Sequence, residues 1–472
     1  IYEKIKVLMK NPFLNLDSNE NLVSNSNYLN KDDVFLSIKE GVKFLNNEDI
    51  SKAKSIFIDQ EDTISSNPKF QKIKDLNKYY IEWIDEYYGI KHSDFDNIFI
   101  TGTNGKTSTV DFLSQIFKYN GLDYSSSGTL GTYLNQKKLF NNQLTTEDPL
   151  FIRRLMSHCK KEDIKNIFFE ASSIGIDQGR LRGLSINHAI FTNISRDHID
   201  YHGSMEEYIN AKFKLVLDTK LETISLNIDD EIIEKNRKRI LKDNVFTLSE
   251  KDSSADIFFQ IKEKSKDGYI KFNTTTPWGN FEAQSRVHSK FNIYNLLLTL
   301  PYFQAVNNNC DNFFNALDSL VLPQGRLDEF RKNIYIDYAH SPKALEEVCL
   351  NLIEKNPKGL VLVFGAGGDR DIGKRKIMGE IADKYCEKIY ITSDNPRSEN
   401  PRLIAEMIEE GIVNKSKVTL ELDRSHAIKE AINDLKEEEI LLIAGKGHEH
   451  YQVIGNKVIK YSDYEEVKKC TV

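Results

Sequence analysis

Residues 98–109 read Ile-Phe-Ile-Thr-Gly-Thr-Asn-Gly-Lys-Thr-Ser-Thr, an apolar stretch running into a glycine-rich loop that closes on Lys106 and Thr107. This order of residue types suits a phosphate cradle. Gly102 and Gly105 carry no Cβ, so the backbone of Gly102, Thr103, Asn104 and Gly105 can curl and turn its N–H groups toward phosphate oxygens. Lys106 has the reach for the β- and γ-phosphates, and the Thr107 hydroxyl, followed by Ser108, can ligate Mg²⁺. Helical spacing over 110–119 places a helix N-terminus behind the same anion. Two residues separate the glycines, fewer than in the common G-x-x-x-x-G-K-[ST] loop. A plain strand–turn–helix with a surface lysine explains each piece but not their order. The expected ligand is ATP.

Further chemistry-bearing clusters sit where apolar stretches end. Ile167-Phe-Phe is followed by Glu170-Ala-Ser172-Ser173, which puts a carboxylate at a strand tip where it could join Mg²⁺ with Thr107. Ile190-Phe-Thr-Asn193 runs into Arg196-Asp197-His198-Ile-Asp200-Tyr-His202, an unusual density of charge for an inert loop. Lys212, on a helical segment starting near Ser204, is close enough in sequence to point back at this loop. Toward the C-terminus four strand-like segments end in Asp337-Tyr-Ala-His340, Gly365-Ala-Gly-Gly-Asp-Arg370-Asp371, Asp394-Asn-Pro-Arg397 and Gly445-Lys-Gly-His-Glu449. Arginines bind carboxylates in bidentate geometry, and Asp394 and Glu449 can hold an ammonium. Both signs together suit a zwitterionic ligand such as an amino acid. Turn formation and helix capping account for single glycines and for Ser341, but not for the set.

These clusters need strands that end at a common edge, and the pattern between them provides candidates. Segments 97–100, 167–170, 189–193 and 223–227 alternate with helical stretches as in a parallel sheet, and 257–281 alternates like an antiparallel hairpin. The pattern breaks around Leu322-Pro-Gln-Gly-Arg326, and strands recur at 334–337, 360–364, 388–392 and 440–444, each followed by a helical segment, as in a mononucleotide-binding fold. The first 92 residues are Asn-rich, with short strands at 34–38 and 55–58 and a helix over 72–88. The expected fold class is therefore α/β in several domains, which a length of 472 residues also requires.

Composition narrows the function. With 40% hydrophobic and 29% charged residues the chain reads as an ordinary globular protein, and a net charge of −7 without a basic tract argues against nucleic-acid binding. Five dispersed cysteines without a C-x-x-C pair fit a reducing cytoplasm better than a zinc site. No apolar run approaches the ~20 residues that span a bilayer, and the opening Ile1-Tyr-Glu-Lys-Ile-Lys has no signal-peptide pattern.

Thr101-Gly-Thr-Asn-Gly-Lys-Thr-Ser108, Thr145-Thr-Glu-Asp-Pro149, Asn193-Ile-Ser-Arg-Asp-His198, Phe291-Asn-Ile-Tyr-Asn295, Asp337-Tyr-Ala-His340 and Asp394-Asn-Pro-Arg397 together resemble the Mur ligases across nearly the whole chain. The resemblance implies three domains: a small N-terminal α/β domain for the UDP end of the substrate over 1–92, a central P-loop-type ATPase with a mainly parallel sheet over 93–327, and a C-terminal Rossmann-like domain for the incoming amino acid over 328–472. It implies an ATP-dependent amide ligase of cytoplasmic peptidoglycan precursor synthesis, a monomer without membrane or nucleic-acid partners. Its substrates would be UDP-MurNAc-L-Ala-D-Glu and meso-2,6-diaminopimelate, joined through an acyl phosphate with ATP and two Mg²⁺ ions.

Residue by residue, the resemblance gives Lys106, Lys212 and His198 catalytic positions. Thr107, Glu170, His198 and Lys212, the last as the carbamate N6-carboxylysine, match metal positions. Asn292, Arg326, Asp337 and His340 match the nucleotide site beside the loop. Ser26, Thr145, Thr146, Ser172, Gln178 and Arg180 match contacts to the UDP-sugar dipeptide. Arg370, Asp394, Asn395, Arg397, Gly445 and Glu449 match the amino-acid site, where the arginines would pair the distal carboxylate that L-lysine lacks. The chain departs from the family in Ile174, where His usually follows the paired serines, and in Asn25-Ser26-Asn27 where Asp-Ser-Arg is usual. An L-lysine-adding or other Mur-type ligase and a folylpolyglutamate synthetase-like ligase share the phosphate loop. A nucleotide-binding switch would hydrolyse ATP without an acceptor.

Overall fold

The computed structural model describes residues 11–16, 20–39, 41–62, 67–217, 221–240, 243–265 and 268–470. The chain divides into two compact units, one of Ile1–Phe99 with Asp123–His188, the other of Ile100–Leu122 with Ala189–Val472. Strand Asp96–Thr101 crosses this division along the chain, so the phosphate loop after it belongs to the second unit.

The first unit holds a four-stranded parallel sheet in the order Leu22–Val23, Val34–Leu36, Ser55–Asp59, Phe70–Ile73. Its core gathers Phe13, Val34, Leu36 and Phe57 against Leu76, Tyr80, Trp83 and Ile84 of helix Leu76–Tyr88. The helix expected over 72–88 thus starts later. Phe70-Gln-Lys-Ile73 pairs instead with Ser55–Asp59, and Asp75, with φ +56°, makes the corner before the helix. The same unit contains strands in the order Asn166–Glu170, Tyr124–Gly128, Gly131–Leu134, Lys137–Phe140, the first pair parallel.

In the second unit the parallel strands Thr223–Asn227 and Val245–Ser249 continue into Ile257–Lys264, Ile270–Thr276 and Gly279–Ser285. The expected hairpin is therefore three antiparallel strands rather than two. A further sheet runs Asp328–Arg331, Ile334–Asp337, Glu439–Ala444, Gly359–Phe364, Lys388–Ile391, Val418–Leu420. All its pairs are parallel except the first. Two of its strands, Asp328–Arg331 and Val418–Leu420, are short and half-buried, too brief to show a period in sequence. The central strand Gly359–Phe364 is buried throughout, which is why it reads as a continuous apolar run.

Register brings the charged loops of this sheet to one edge. Asp337 pairs with Ala444, Val363 with Ile443 and Phe364 with Ile391, so the segments after all four strands leave at the same level. Helices return from these loops with local caps. Ser341 accepts from the Ala344 amide ahead of helix Pro342–Ile353, and Asn400 from the Arg402 amide ahead of Pro401–Glu409, each with proline in the first turn. None of the five cysteines is in a disulfide, and no helix among the described residues is long and apolar enough to cross a membrane.

One ion pair closes the back of this sheet. Arg424 Nε and Nη2 each donate to an oxygen of Asp463 at 2.8 Å, both side chains 0% exposed, and Nη2 also donates to the Ala444 carbonyl at 2.9 Å. Removing one partner leaves a buried charge without its counterion, whereas the fork itself fixes the end of strand Glu439–Ala444. Asp463→Ala is expected to destabilise this sheet by about 3–5 kcal/mol, seen as a lowered urea midpoint for the far-ultraviolet circular dichroism transition.

Candidate active site

The phosphate loop is held from outside by the segment that follows strand His188–Phe191. Thr103 N–H donates to the Asn193 carbonyl at 2.8 Å and Asn104 N–H to Asn193 Oδ1 at 2.9 Å. In return Thr192 Oγ1 donates to the Asn104 carbonyl at 2.6 Å, and Asn193 Nδ2 to the same oxygen at 3.1 Å. Thr103 Oγ1 accepts from Ser195 N–H at 2.8 Å and lies 2.8 Å from the Tyr208 hydroxyl. The approach is so close that a Cβ on Gly102 would stand 1.9 Å from Thr192 Oγ1, and one on Gly105, with φ +86°, 2.5 Å from Asn295 Oδ1. Helix Lys106–Tyr119 then begins directly at the lysine, with Thr107 and Ser108 buried in its first turn.

Two lysines converge on this loop. Lys106 Nζ donates to the carbonyls of Gly102 and Thr103 at 2.8 and 2.9 Å, and Lys212 Nζ to the Gly102 carbonyl at 2.8 Å. Lys212 projects from helix Met205–Leu217 and is fully enclosed, with the Tyr208 ring 4.8 Å from its amine. Burial, and then the charge of Lys106, push its amine well below the ordinary lysine range. His198 is held neutral in the same way. Burial pushes it down to about 4, with Lys106 adding to the effect and Asp197 opposing it.

Asp197 gathers basic side chains from three segments. His198 Nε2 lies 3.6 Å and His340 Nε2 3.9 Å from its Oδ2, and Lys374 Nζ 3.9 Å from its Oδ1. Burial alone would raise this carboxyl, but the charges of His198, Lys374 and His340 and the His198 amide hold it below the usual carboxylate range. Beside it Arg196 forms a fork on Asp371, Nε at 2.7 Å and Nη2 at 2.9 Å.

The remaining nucleotide-site candidates line the same loop. Arg326 Nη2 donates to Thr107 Oγ1 at 3.1 Å while its guanidinium lies 4.5 Å from the Tyr338 ring centroid. Asp337 accepts from the amides of Leu327 and Ala339, and burial, partly offset by Arg326, pushes it up to about 6. Asn292 is buried on helix Lys290–Leu297 and reaches the loop through Asn295, whose Nδ2 lies 3.4 Å from Asn292 Oδ1. His340 Nδ1 meets the Tyr338 carbonyl at 2.8 Å, and burial, then Lys374, push its imidazole down.

At the edge of the C-terminal sheet the two arginines flank one glycine. A Cβ on Gly367 would stand 2.9 Å from Arg397 Nη1 and 3.5 Å from Arg370 Cγ. Asp394 packs over Gly445, whose φ is +112° and whose Cβ would lie 2.5 Å from Asp394 Oδ2. Asn395 Nδ2 donates to Glu449 Oε2 at 3.0 Å.

The first unit collects its own set. Glu170 accepts from Thr129 N–H at 2.8 Å and from the Thr129 hydroxyl at 3.1 Å, and Thr129 Oγ1 lies 3.4 Å from Thr145 Oγ1. Thr146 Oγ1 donates to the Glu170 carbonyl, accepts from Ser172 N–H and lies 3.0 Å from Ser172 Oγ. Arg180 donates to the Thr146 carbonyl and, through Nε and Nη2, to Gln178 Oε1. Ser26 opens the turn Ser26–Tyr28, which is tied down by Tyr28 OH on Glu147 and by Ser24 Oγ on Asp148. All six expected dipeptide and UDP-end residues thus lie in this unit, five of them around Thr146.

Several residues of the site were not singled out from sequence. Thr192, Asn193, Asn295 and Tyr208 brace the loop, and Asp371 and Lys374 bind the Arg196-Asp197 pair. Asn193, Asn295 and Asp371 stood in motifs named from the sequence but without these roles, and Lys374 lies three residues beyond Asp371, next to the same charged loop. Tyr208 carried no signal.

A loop built for the phosphates of ATP, and in the same unit a sheet edge carrying both signs of charge, are what an ATP-dependent ligase needs to activate a carboxylate and deliver an amine. Comparison with known proteins agrees. The Mur ligase middle domain profile matches residues 100–301 and that of the Mur ligase, glutamate ligase domain matches 325–447. The chain is 36% identical over 452 residues, 94% of each chain, to the UDP-N-acetylmuramoyl-L-alanyl-D-glutamate–2,6-diaminopimelate ligase of Rickettsia bellii. It is 35% identical to the protein of that name from Pseudomonas syringae pv. tomato, over 80% of this chain and 78% of that relative. A solved structure of a ligase of the same name superposes with a TM-score of 0.61 at 28% identity, covering 95% of this chain and 94% of that one. The chain belongs to the Mur ligase family, enzymes that form amide bonds at the expense of ATP.

Gly105→Ala would force a side chain into Asn295 at a positive φ, a strain of about 1–3 kcal/mol. Affinity for a non-hydrolysable ATP analogue is expected to fall about ten- to a hundredfold by calorimetry, while the melting profile keeps its cooperative form.

Proposed function

We propose that this chain joins meso-2,6-diaminopimelate to the γ-carboxyl of D-Glu in UDP-MurNAc-L-Ala-D-Glu, in cytoplasmic peptidoglycan precursor synthesis. The observation that carries the choice of amine is the pair Arg370 and Arg397, both beside Gly367, at the edge where Asp394 and Glu449 also lie. A diamino dicarboxylate supplies a second carboxylate for the guanidiniums, and an ammonium for the acids. L-lysine has no carboxylate at that end and would leave a partly buried cation unpaired.

In this reading residues up to about 92 take the UDP end with Ser26, the segment to about 327 runs the ATP chemistry, and the remainder presents the amine. Thr145, Thr146, Ser172, Gln178 and Arg180 hold the sugar dipeptide. The D-Glu γ-carboxylate attacks the γ-phosphorus of ATP, ADP leaves, and the amine then displaces phosphate from the acyl phosphate with loss of a proton. Lys106 neutralises charge on the transferring phosphoryl group.

Among the described residues no group of three or more His, Cys, Asp or Glu side chains is placed to hold a metal ion. Magnesium in the unit of the phosphate loop would take Thr107, the neutral imidazole of His198 and a carbamate on Lys212 as candidate ligands, with the phosphates themselves, and Glu170 is the candidate that the first unit offers. The chemistry of Lys212 fits that role, because burial and then Lys106 push its amine well below the ordinary lysine range and so favour the neutral form. A neutral amine adds CO₂ and releases a proton, leaving an anionic carbamate. Bound divalent ions would supply charge stabilisation to the phosphoryl transfer.

ADP release in the presence of UDP-MurNAc-L-Ala-D-Glu is expected with meso-diaminopimelate and not with L-lysine. Equal or greater turnover with L-lysine would overturn the assignment. Lys212→Ala is expected to lower kcat by about two orders of magnitude, with partial recovery on adding formate. Carbamate signal from isotopically labelled bicarbonate should be present in the unaltered protein and absent in the variant.

A further inference from the structure

Lys446, the second residue of the Gly445-Lys-Gly-His-Glu449 run, is an ammonium with 0% side-chain exposure. A buried cation is tolerated only where its charge and its donors are met. Nζ donates to Asn395 Oδ1 and to Glu449 Oε2, both at 3.1 Å, and the Tyr451 and Tyr461 ring centroids each lie 5.9 Å away. Asn395 Oδ1 accepts a second bond from Val453 N–H at 3.0 Å. With both lone pairs of that carbonyl engaged, the amide cannot reverse, and Nδ2 is committed to Glu449 at 3.0 Å. A single ammonium thereby sets the direction of one side chain and anchors another.

It also sets a charge balance. Glu449 and Asp394 both feel Lys446. Asp394 is held below the usual carboxylate range against its burial, with Lys446 the first of the cations that do so and Arg424, His340 and Lys374 behind it. Arg424 already spends its charge on Asp463. Glu449 goes the other way, raised by burial and by Asp394. Glu449 and Asp394 thus both draw on the Lys446 ammonium.

We propose that Lys446 is a specificity-determining positioning residue of the amino-acid site. It locks the Asn395 amide and Glu449 in place and leaves room for one further cation, the ammonium of the incoming diamino acid. The inference rests on reading this sheet edge as the amino-acid site. A ligand with one ammonium at that end completes the charge balance, whereas a neutral side chain leaves a buried carboxylate without a counterion.

The test varies each substrate in steady-state assays of the full chain, using whichever of meso-diaminopimelate and L-lysine supports ADP release by the unaltered protein. Lys446→Met is expected to raise KM for that amino acid about tenfold or more, with KM for ATP and for the UDP-dipeptide within about twofold and kcat within about threefold. Because Lys446 acts through Glu449, adding Lys446→Met to Glu449→Gln should change the amino-acid KM less than about threefold further. Lys446→Gln, which keeps a donor without the charge, is read in the same way if Lys446→Met does not fold. An unchanged amino-acid KM, an equal rise in all three KM values, or additive effects with Glu449→Gln would overturn the proposal alone. Failure of both amino acids to support turnover by the unaltered protein would overturn the substrate reading and this proposal with it.

Discussion

Thr192 Oγ1 occupies the space where any side chain at residue 102 would have to begin, and its hydroxyl is bonded to the Asn104 carbonyl. The glycine loop and the end of strand His188–Phe191 are consequently one rigid object, stitched in both directions by Thr103, Asn104, Asn193 and Ser195. Everything that bears on phosphate chemistry in this unit is placed relative to that seam. Lys106 and Lys212 meet at the Gly102 carbonyl, Arg326 arrives through Thr107, and Ser341 approaches Asn104 at 3.4 Å. A larger residue at Gly102 would push apart the elements that carry all four.

The seam also explains how two lysines coexist within reach of one carbonyl. Two full positive charges there would repel, and enclosure removes the water that would screen them. Pushing the Lys212 amine well below the ordinary lysine range relieves the conflict. Asp197 performs the complementary task one step away. Its buried carboxylate anchors His198, His340 and Lys374, side chains from three separate stretches of chain, and the Arg196–Asp371 fork runs parallel to it. Such buried charge clusters are costly to assemble, and they specify one arrangement of the segments that meet there.

At the other edge the governing constraint is register. Parallel pairing aligns Asp337, Ala444, Phe364 and Ile391, so loops far apart in sequence open at one level. Close backbone approaches then compress them. Gly325 has room for no side chain beside Gly447 and His448, and Gly368 none beside the Pro396 carbonyl.

The phosphate loop, the strands that end in charged loops and the α/β class were legible in the sequence, because they depend on local order: an apolar run, a glycine punctuation, a helical period. Boundaries were less so. The strand Phe70–Ile73 hid inside a helical pattern, and Val418–Leu420 was too short to carry a period. What only tertiary structure decided is which charges neutralise which. Arg424 pairs with Asp463 across 39 residues, Arg196 with Asp371 across 175 and Lys446 with Asn395 across 51, while the other partner of Lys446, Glu449, stands three residues on. A lysine reads the same in sequence whether it is solvated or enclosed. Sequence by itself determined the kinds of groups this protein brings to its chemistry. Burial, through the cost of stripping water from a charge, decided that the Lys212 amine is pushed well below the ordinary lysine range, and the fold decided that Lys446 is enclosed against Asn395 and Glu449.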